Sequence, residues 1–240
     1  MPYIHKEYRA GKTIEVYKTY SARYGKNLPR SPNSNPTPEA VKKNNERLAE
    51  MKLRLLLNEN FRAGDLFVTL TYSKAPDTAE AKKELARFIR AARAKYKAAG
   101  LEMKYISVTE YQSMRIHHHI VMNSIDPRVL QDIWSLGRVR PVQLYGIDFA
   151  GLATYLIKET KKTFRESDAP SRKRWNQSKN LRPPKEIIKV VSAKRWATEP
   201  KARRGFMLLT DSIVNDVSLF GIPYQHYRLV AVEAPIKPRN

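Results

Sequence analysis

Residues 103–122 read Met103-Lys104-Tyr105-Ile106-Ser107-Val108-Thr109-Glu110, then Tyr111-Gln112-Ser113-Met114, then Arg115-Ile116-His117-His118-His119-Ile120-Val121-Met122. The outer blocks are rich in β-branched and apolar residues, and the short polar connection suits a chain reversal. The stretch therefore predicts an antiparallel hairpin with strands over Met103–Glu110 and Arg115–Met122. Side chains alternate across a strand, so His117 and His119 share one face. His118 falls on the other with Ile116, Ile120 and Met122, in a packing role. If the turn pairs Glu110 with Arg115, Val108 faces His117 and Glu110 lies one pleat step along that face. Glu110, His117 and His119 can then hold one divalent ion and leave positions open for substrate oxygens. A turn of the other parity puts Glu110 on the wrong side, and a polar face on an exposed strand is the plain alternative.

The neighbouring segments supply a sheet and helices. Leu66-Phe67-Val68-Thr69-Leu70-Thr71-Tyr72 reads as a strand. Asp77 opens an amphipathic helix through Leu85, Phe88, Ile89 and Ala92 that ends near Gly100. A short helix is expected from Asp126 to Trp134. Asp148 caps another that runs through Phe149, Leu152, Ala153, Leu156 and Ile157 to Lys161. Upstream, Thr37-Pro38-Glu39 has the order of an N-cap, a first-turn proline and a first-turn acid, which starts a helix over residues 38–58. Residues 29–38 form a loop, and further strands are expected at 186–191, 206–218 and 226–232. Residues 1–28 mix aromatic stretches with charge and give no clear reading. The class is α+β with one main, antiparallel sheet and flanking helices. Residues 1–60 are expected to form an N-terminal arm and helix packing on a core of residues 61–240, one domain overall.

Charge points to the partner. Forty-five Lys and Arg against 23 Asp and Glu give a net +22 over 240 residues, a surplus that attracts polyphosphate backbones. Residues 161–204 carry 15 cations and four acids, half of that surplus, together with Trp175 and Trp196. Flat rings among cations can stack bases while the cations hold phosphates. Arg115, Arg172, Lys173, Arg174, Lys179 and Arg182 are the expected DNA contacts. The chain has no cysteine, which excludes disulfides, thiolate metal sites and cysteine nucleophiles. No apolar run is long enough for a membrane span, and the N-terminus lacks an apolar signal core, so a cytoplasmic location in a bacterial cell is expected.

Tyr155 on the helix after the hairpin is followed at i+3 by Lys158, on the same side of the helix. A phenol with a pKa of about 10 is a poor nucleophile and needs a metal-polarised phosphate or a nearby cation. Tyr-x-x-Lys alone is a weak signal, and an ordinary amphipathic helix with Tyr155 at its margin explains it as well. The order of the pieces is more specific. Phe67 to Tyr72, then Glu110 ahead of Arg115-Ile116-His117-His118-His119-Ile120-Val121, then Tyr155-Leu156-Ile157-Lys158, resembles the HUH endonuclease superfamily. More narrowly, it looks like the small single-tyrosine replication initiators of rolling-circle plasmids and phage-like elements. His118 stands where those proteins usually have a bulky apolar residue. Ser178-Lys179-Asn180-Leu181-Arg182-Pro183-Pro184 resembles a basic segment found after the third motif in some of them. The resemblance spans residues 55–190.

That resemblance implies an HUH fold related to RNA-recognition and ferredoxin-like folds. It implies a sequence-specific nickase and ligase acting on single-stranded or hairpin origin DNA, with Mg²⁺ or Mn²⁺ held by Glu110, His117 and His119. Tyr155 is then the nucleophile that forms a 5′-phosphotyrosine link, and Lys158 its electrostatic helper. A single tyrosine in the third motif gives no support to a two-tyrosine strand handover. No Walker-type phosphate loop occurs, so a host replication helicase and polymerase are expected partners. Alternatives are a mobilisation relaxase or transposase of the same superfamily, a non-catalytic basic nucleic-acid-binding protein, or a two-His-one-carboxylate iron oxygenase. Tyr72 and Tyr111 are expected to tolerate replacement by Phe.

Overall fold

In a computed structural model of the chain, residues 2–20, 38–111, 116–161, 173–219 and 221–232 are described. In chain order the elements are β1 (Tyr3–Ala10), β2 (Thr13–Thr19), α1 (Pro38–Asn60), β3 (Leu66–Leu70), α2 (Thr78–Ala98), β4 (Tyr105–Glu110) and β5 (His117–Met122). There follow α3 (Pro127–Ile133), β6 (Val139–Gln143), α4 (Ala150–Lys161), β7 (Asn176–Gln177), β8 (Lys185–Val191), β9 (Phe206–Val217) and β10 (Pro223–Ala231). Contacts divide the chain into residues 60–182 and a unit that joins 1–59 to 183–240. The second unit thus includes a C-terminal part that the sequence reading assigns to the core of residues 61–240.

The 60–182 unit is built on an antiparallel sheet of order β6-β3-β5-β4-β7. Strand alternation gives it an apolar face of Leu66, Val68, Leu70, Ile120 and Met122, all buried. Helix α2 covers that face with Ala81, Leu85, Phe88, Ile89, Ala92 and Tyr96, spaced one helical turn apart. Asp77 starts α2 as its N-cap, accepting a 2.8 Å hydrogen bond from the Glu80 amide. The opposite face of the sheet meets α4, which packs against β4 and buries Ala153, Leu156 and Ile157.

The other unit holds a second antiparallel sheet, of order β8-β1-β2-β10-β9. This corrects the expectation of one main sheet. Strands β1 and β2, β6 and β7 are absent from the sequence reading, and the reason is physical. β1 and β2 bury Glu7, Glu15 and Lys18 among their apolar residues, so the apolar–polar alternation that announces a strand is broken. Each of these charges is matched. Glu7 accepts from Arg9 and Arg203 at 2.6 Å, and the Lys18 ammonium donates to Gln225 at 2.9 Å. The hairpin turns at Gly11, whose φ of +54° and 2.1 Å approach of a would-be Cβ to the Asn58 carbonyl oxygen admit no side chain. No helix among the described residues is long and apolar enough to cross a membrane.

Glu15 makes this unit acid-sensitive. Burial pushes its carboxyl pKa up, but hydrogen bonds from Arg54 and His226 prevail and hold it at about 2. A carboxyl at about 2 instead of 4.5 contributes roughly 3 kcal/mol at neutral pH. Because the folded-state pKa is depressed, that contribution is complete above pH 4.5 and is lost as pH falls towards 2. Glu15→Gln should cost about 3 kcal/mol, since it removes the closest carboxylate from the buried Arg54 guanidinium and leaves it the longer 3.4 Å contact with Glu50. Urea unfolding at neutral pH and between pH 2 and 4.5 checks this: the variant's acid limb flattens, and an unchanged limb contradicts the assignment.

Candidate active site

The hairpin of the sequence reading is present with a different register and the same parity. Glu110 pairs with His117, where Arg115 was the expected partner, and Val108 pairs with His119. Directly paired residues share a face, so Glu110, His117 and His119 stand together on the α4 side. Glu110 Oε2 lies 3.8 Å from His117 Nδ1 and 3.9 Å from His119 Nε2.

His119 is the best-held of the three. Its Nδ1 is 3.3 Å from the Thr69 hydroxyl, and the Phe67 ring stacks on the imidazole with centroids 5.6 Å apart and an 8° interplanar angle. Thr69 and Phe67 lie on the same face because Thr69 pairs with His119 across β3 and β5. The remaining nitrogen, Nε2, therefore looks towards Glu110 and towards Tyr155, whose hydroxyl is 3.4 Å away. Burial drives the His119 pKa down to about 4, against the pull of the Glu159 charge. The ring is neutral at physiological pH and its Nε2 can offer a lone pair.

Tyr155 reaches the site from α4 and remains 40% exposed. It meets the His119 and Phe67 rings edge-on, at 5.4 and 6.1 Å. Its pKa is raised by partial burial and then by the negative charges of Glu159 and Glu110. The protein groups around the phenol thus oppose its ionisation, which is the electrostatic setting a cation would reverse. Glu159, one helical turn beyond Tyr155, escaped the sequence reading; the i, i+4 spacing from Tyr155 was the available signal. Lys158 stands exposed on the same helix.

Two imidazoles and one carboxylate form a mixed nitrogen and oxygen donor set of the kind that divalent metals take. Two atoms each about 2.1 Å from a shared ion lie at most about 4.2 Å apart, and the separations here are 3.8 and 3.9 Å. These are too long for direct hydrogen bonds. Among the described residues no group of three His, Asp or Glu side chains stands close enough together to hold a metal ion as placed, so Glu110, His117 and His119 would have to move towards one another to share one.

His118 faces the opposite way. It is fully buried, with Tyr72 Oη 2.8 Å from Nε2 and Thr109 Oγ1 2.9 Å from Nδ1. Burial, then the neighbouring His119 and His117, lower its pKa to about 4. The two hydroxyls can serve either tautomer, which lets a neutral imidazole sit in this apolar core. Tyr72 is therefore a structural partner, and the expectation that Tyr72→Phe is tolerated is revised. Removing the hydroxyl leaves a buried nitrogen unpaired and should cost about 1–3 kcal/mol. Urea unfolding checks it, and an unchanged midpoint contradicts the network.

The basic residues are dispersed. Arg115 and Arg172 lie outside the described residues. Lys173 and Arg174 line a cavity beside α2. In the segment after it, Ser178 and Asn180 are structural: Ser178 exchanges hydrogen bonds with the Tyr105 backbone, and Asn180 donates to the Met103 carbonyl. Lys179 and Arg182 are exposed, while the Arg182 backbone is clasped by Asn60 through two 2.8 Å hydrogen bonds. Trp196 belongs to the other unit, where it packs against Tyr3 and Tyr20 at 5.3 and 4.8 Å.

No curated protein and no solved structure gives a significant match to the chain. Residues 65–164, which carry the hairpin, Tyr155 and Lys158, match the family Replication-associated protein ORF2/G2P, a match consistent with a rolling-circle replication initiator.

Proposed function

We propose that the chain is a single-strand DNA endonuclease and ligase that begins rolling-circle replication through a 5′-phosphotyrosine intermediate. The observation that carries this reading is the convergence on one nitrogen. His119 Nε2 lies 3.4 Å from the Tyr155 hydroxyl and 3.9 Å from Glu110 Oε2. Glu110, His117 and His119 are the residues that would hold a divalent ion. When bound, Mg²⁺ or Mn²⁺ supplies Lewis-acid polarisation of the scissile phosphate.

Phe67 and Thr69 orient the His119 ring, and the pairing of β4 with β5 brings Glu110 to the same face. The helix α4 presents Tyr155 at the rim of the same group. The Tyr155 hydroxyl gives up its proton and its oxygen forms a bond to phosphorus, while the bond from phosphorus to the 3′ oxygen of the preceding nucleotide breaks and that oxygen takes up a proton as a free hydroxyl, with no net proton consumed. Lys158 offsets negative charge developing on the phosphoryl oxygens. One phosphodiester replaces another, so the 3′-hydroxyl can prime synthesis and a later attack on the tyrosyl link can reseal the strand.

Incubation of the protein with single-stranded origin DNA and Mn²⁺, followed by denaturing electrophoresis, tests the reading. A nicked strand and a protein–DNA adduct that survives detergent are expected. A basic binding module or an iron oxygenase leaves no such adduct.

A further inference from the structure

A cavity of about 800 Å³ lies in the 60–182 unit, between α2 and the face of β4 that points away from Glu110. Its size falls within the range of about 300–1,000 Å³ typical of ligand pockets. Tyr105 and Tyr111 line it from β4 and its end, since odd-numbered positions on that strand share one face. Lys82, Arg90 and Arg93 line it from α2, and Lys173, Arg174 and Trp175 from the segment leading into β7. Five cations and three aromatic rings thus surround one cavity, and none of its described lining residues is acidic.

The rings are held, and this matters more than their number. The Trp175 indole N–H donates to Gln177 Oε1 at 2.9 Å. The Arg93 guanidinium lies 5.5 Å from the Tyr105 ring centroid. β7, at the edge of the sheet, is only two residues long and pairs with Ile106 and Ser107 alone. Tyr111 directly follows Glu110, and Thr160 of α4, next to Glu159, also lines the cavity. The rim of the cavity thus lies one residue from Glu110 along β4 and one residue from Glu159 along α4.

Concentrated positive charge calls for phosphates, and fixed ring faces call for flat, unpaired π-systems. A duplex hides its base faces in the stack, so a single strand satisfies both demands. We propose that this cavity is a nucleotide pocket: it takes an unstacked base of a DNA single strand against Trp175, with flanking phosphates on Arg90, Arg93 and Lys173. It anchors the strand on the far side of the sheet from Tyr155. The identification of the strand as DNA rests on the nickase reading; the recognition chemistry does not.

The test uses the whole chain in EDTA, with a fluorescein-labelled oligodeoxythymidylate of about 20 nucleotides, longer than a typical single-strand site. Trp175→Ala should weaken binding roughly 10- to 100-fold, the effect of losing one stacked base. Arg90→Ala, on the exposed side of a helix where folding is not at stake, should lower the log–log salt slope by about 0.7. A duplex of the same length should bind Trp175→Ala and the native protein alike. Native affinity and slope in both variants overturn the pocket, and so does an equal loss on the duplex. The two readings fail separately: absence of a covalent adduct with the native protein removes the nickase and leaves these affinities standing.

Discussion

A Tyr155→Phe protein is expected to form no covalent DNA adduct and to nick at background level. Its DNA affinity should stay within about twofold of the native value, because phosphate contacts from Lys and Arg dominate affinity. The substitution keeps the ring that meets His119 and Phe67 edge-on and removes only the oxygen 3.4 Å from His119 Nε2. Helix α4 is anchored by Ala153, Leu156 and Ile157, none of which is touched, and the 3.4 Å contact that is lost is long, so stability should fall by no more than about 1 kcal/mol. Lys158→Ala is expected to be milder, slowing nicking about 10²-fold if it provides one charge-stabilising contact. Nicking by the Tyr155→Phe protein at the native rate contradicts the assignment.

The second large effect is expected at the donor set. His119→Ala should reduce nicking by more than about 10²-fold, the scale of a lost charge-stabilising donor, and chelation of divalent ions should do the same to the native protein. Thr69→Val is the informative companion, because Thr69 touches only the far nitrogen of His119. Loss of such a supporting bond typically weakens metal affinity by 10- to 100-fold, so its activity should return at higher Mn²⁺ concentration. Activity curves against Mn²⁺ for the three proteins check this. Full activity of His119→Ala, or of the native protein in EDTA, contradicts the proposed ion site.

The placement of Glu110, His117 and His119 on one face was more legible than the fold. His117 and His119 are two apart and Glu110 sits in the facing strand, so strand alternation was enough to place them together. The register differed from the expected one by two residues, and only a shift of odd size would have separated them. What supports these side chains is tertiary: Thr69 and Phe67 reach His119 through the pairing of β3 with β5, and no local spacing announces that. In the second sheet the strands expected at 186–191, 206–218 and 226–232 are present as β8, β9 and β10, whereas β1 and β2 were hidden for a different reason. They bury Glu7, Glu15 and Lys18 against partners as distant in sequence as Arg203, His226 and Gln225. A buried charge looks like a surface residue until its partner is known. The basic tract illustrates the limit from the other side. Trp175 and Trp196 look equivalent in the sequence, yet one lines a cationic cavity and the other packs on Tyr3 and Tyr20.

The most direct test of the central claim is to identify the residue that carries DNA. Native protein is allowed to react with single-stranded origin DNA and Mn²⁺, the adduct is digested with protease and nuclease, and the peptide bearing the remaining nucleotide is sequenced by mass spectrometry. The nucleotide should be found on Tyr155, in the peptide that contains Leu156-Ile157-Lys158. A nucleotide on Tyr145, or on any peptide lacking Tyr155, contradicts the mechanism at its central residue.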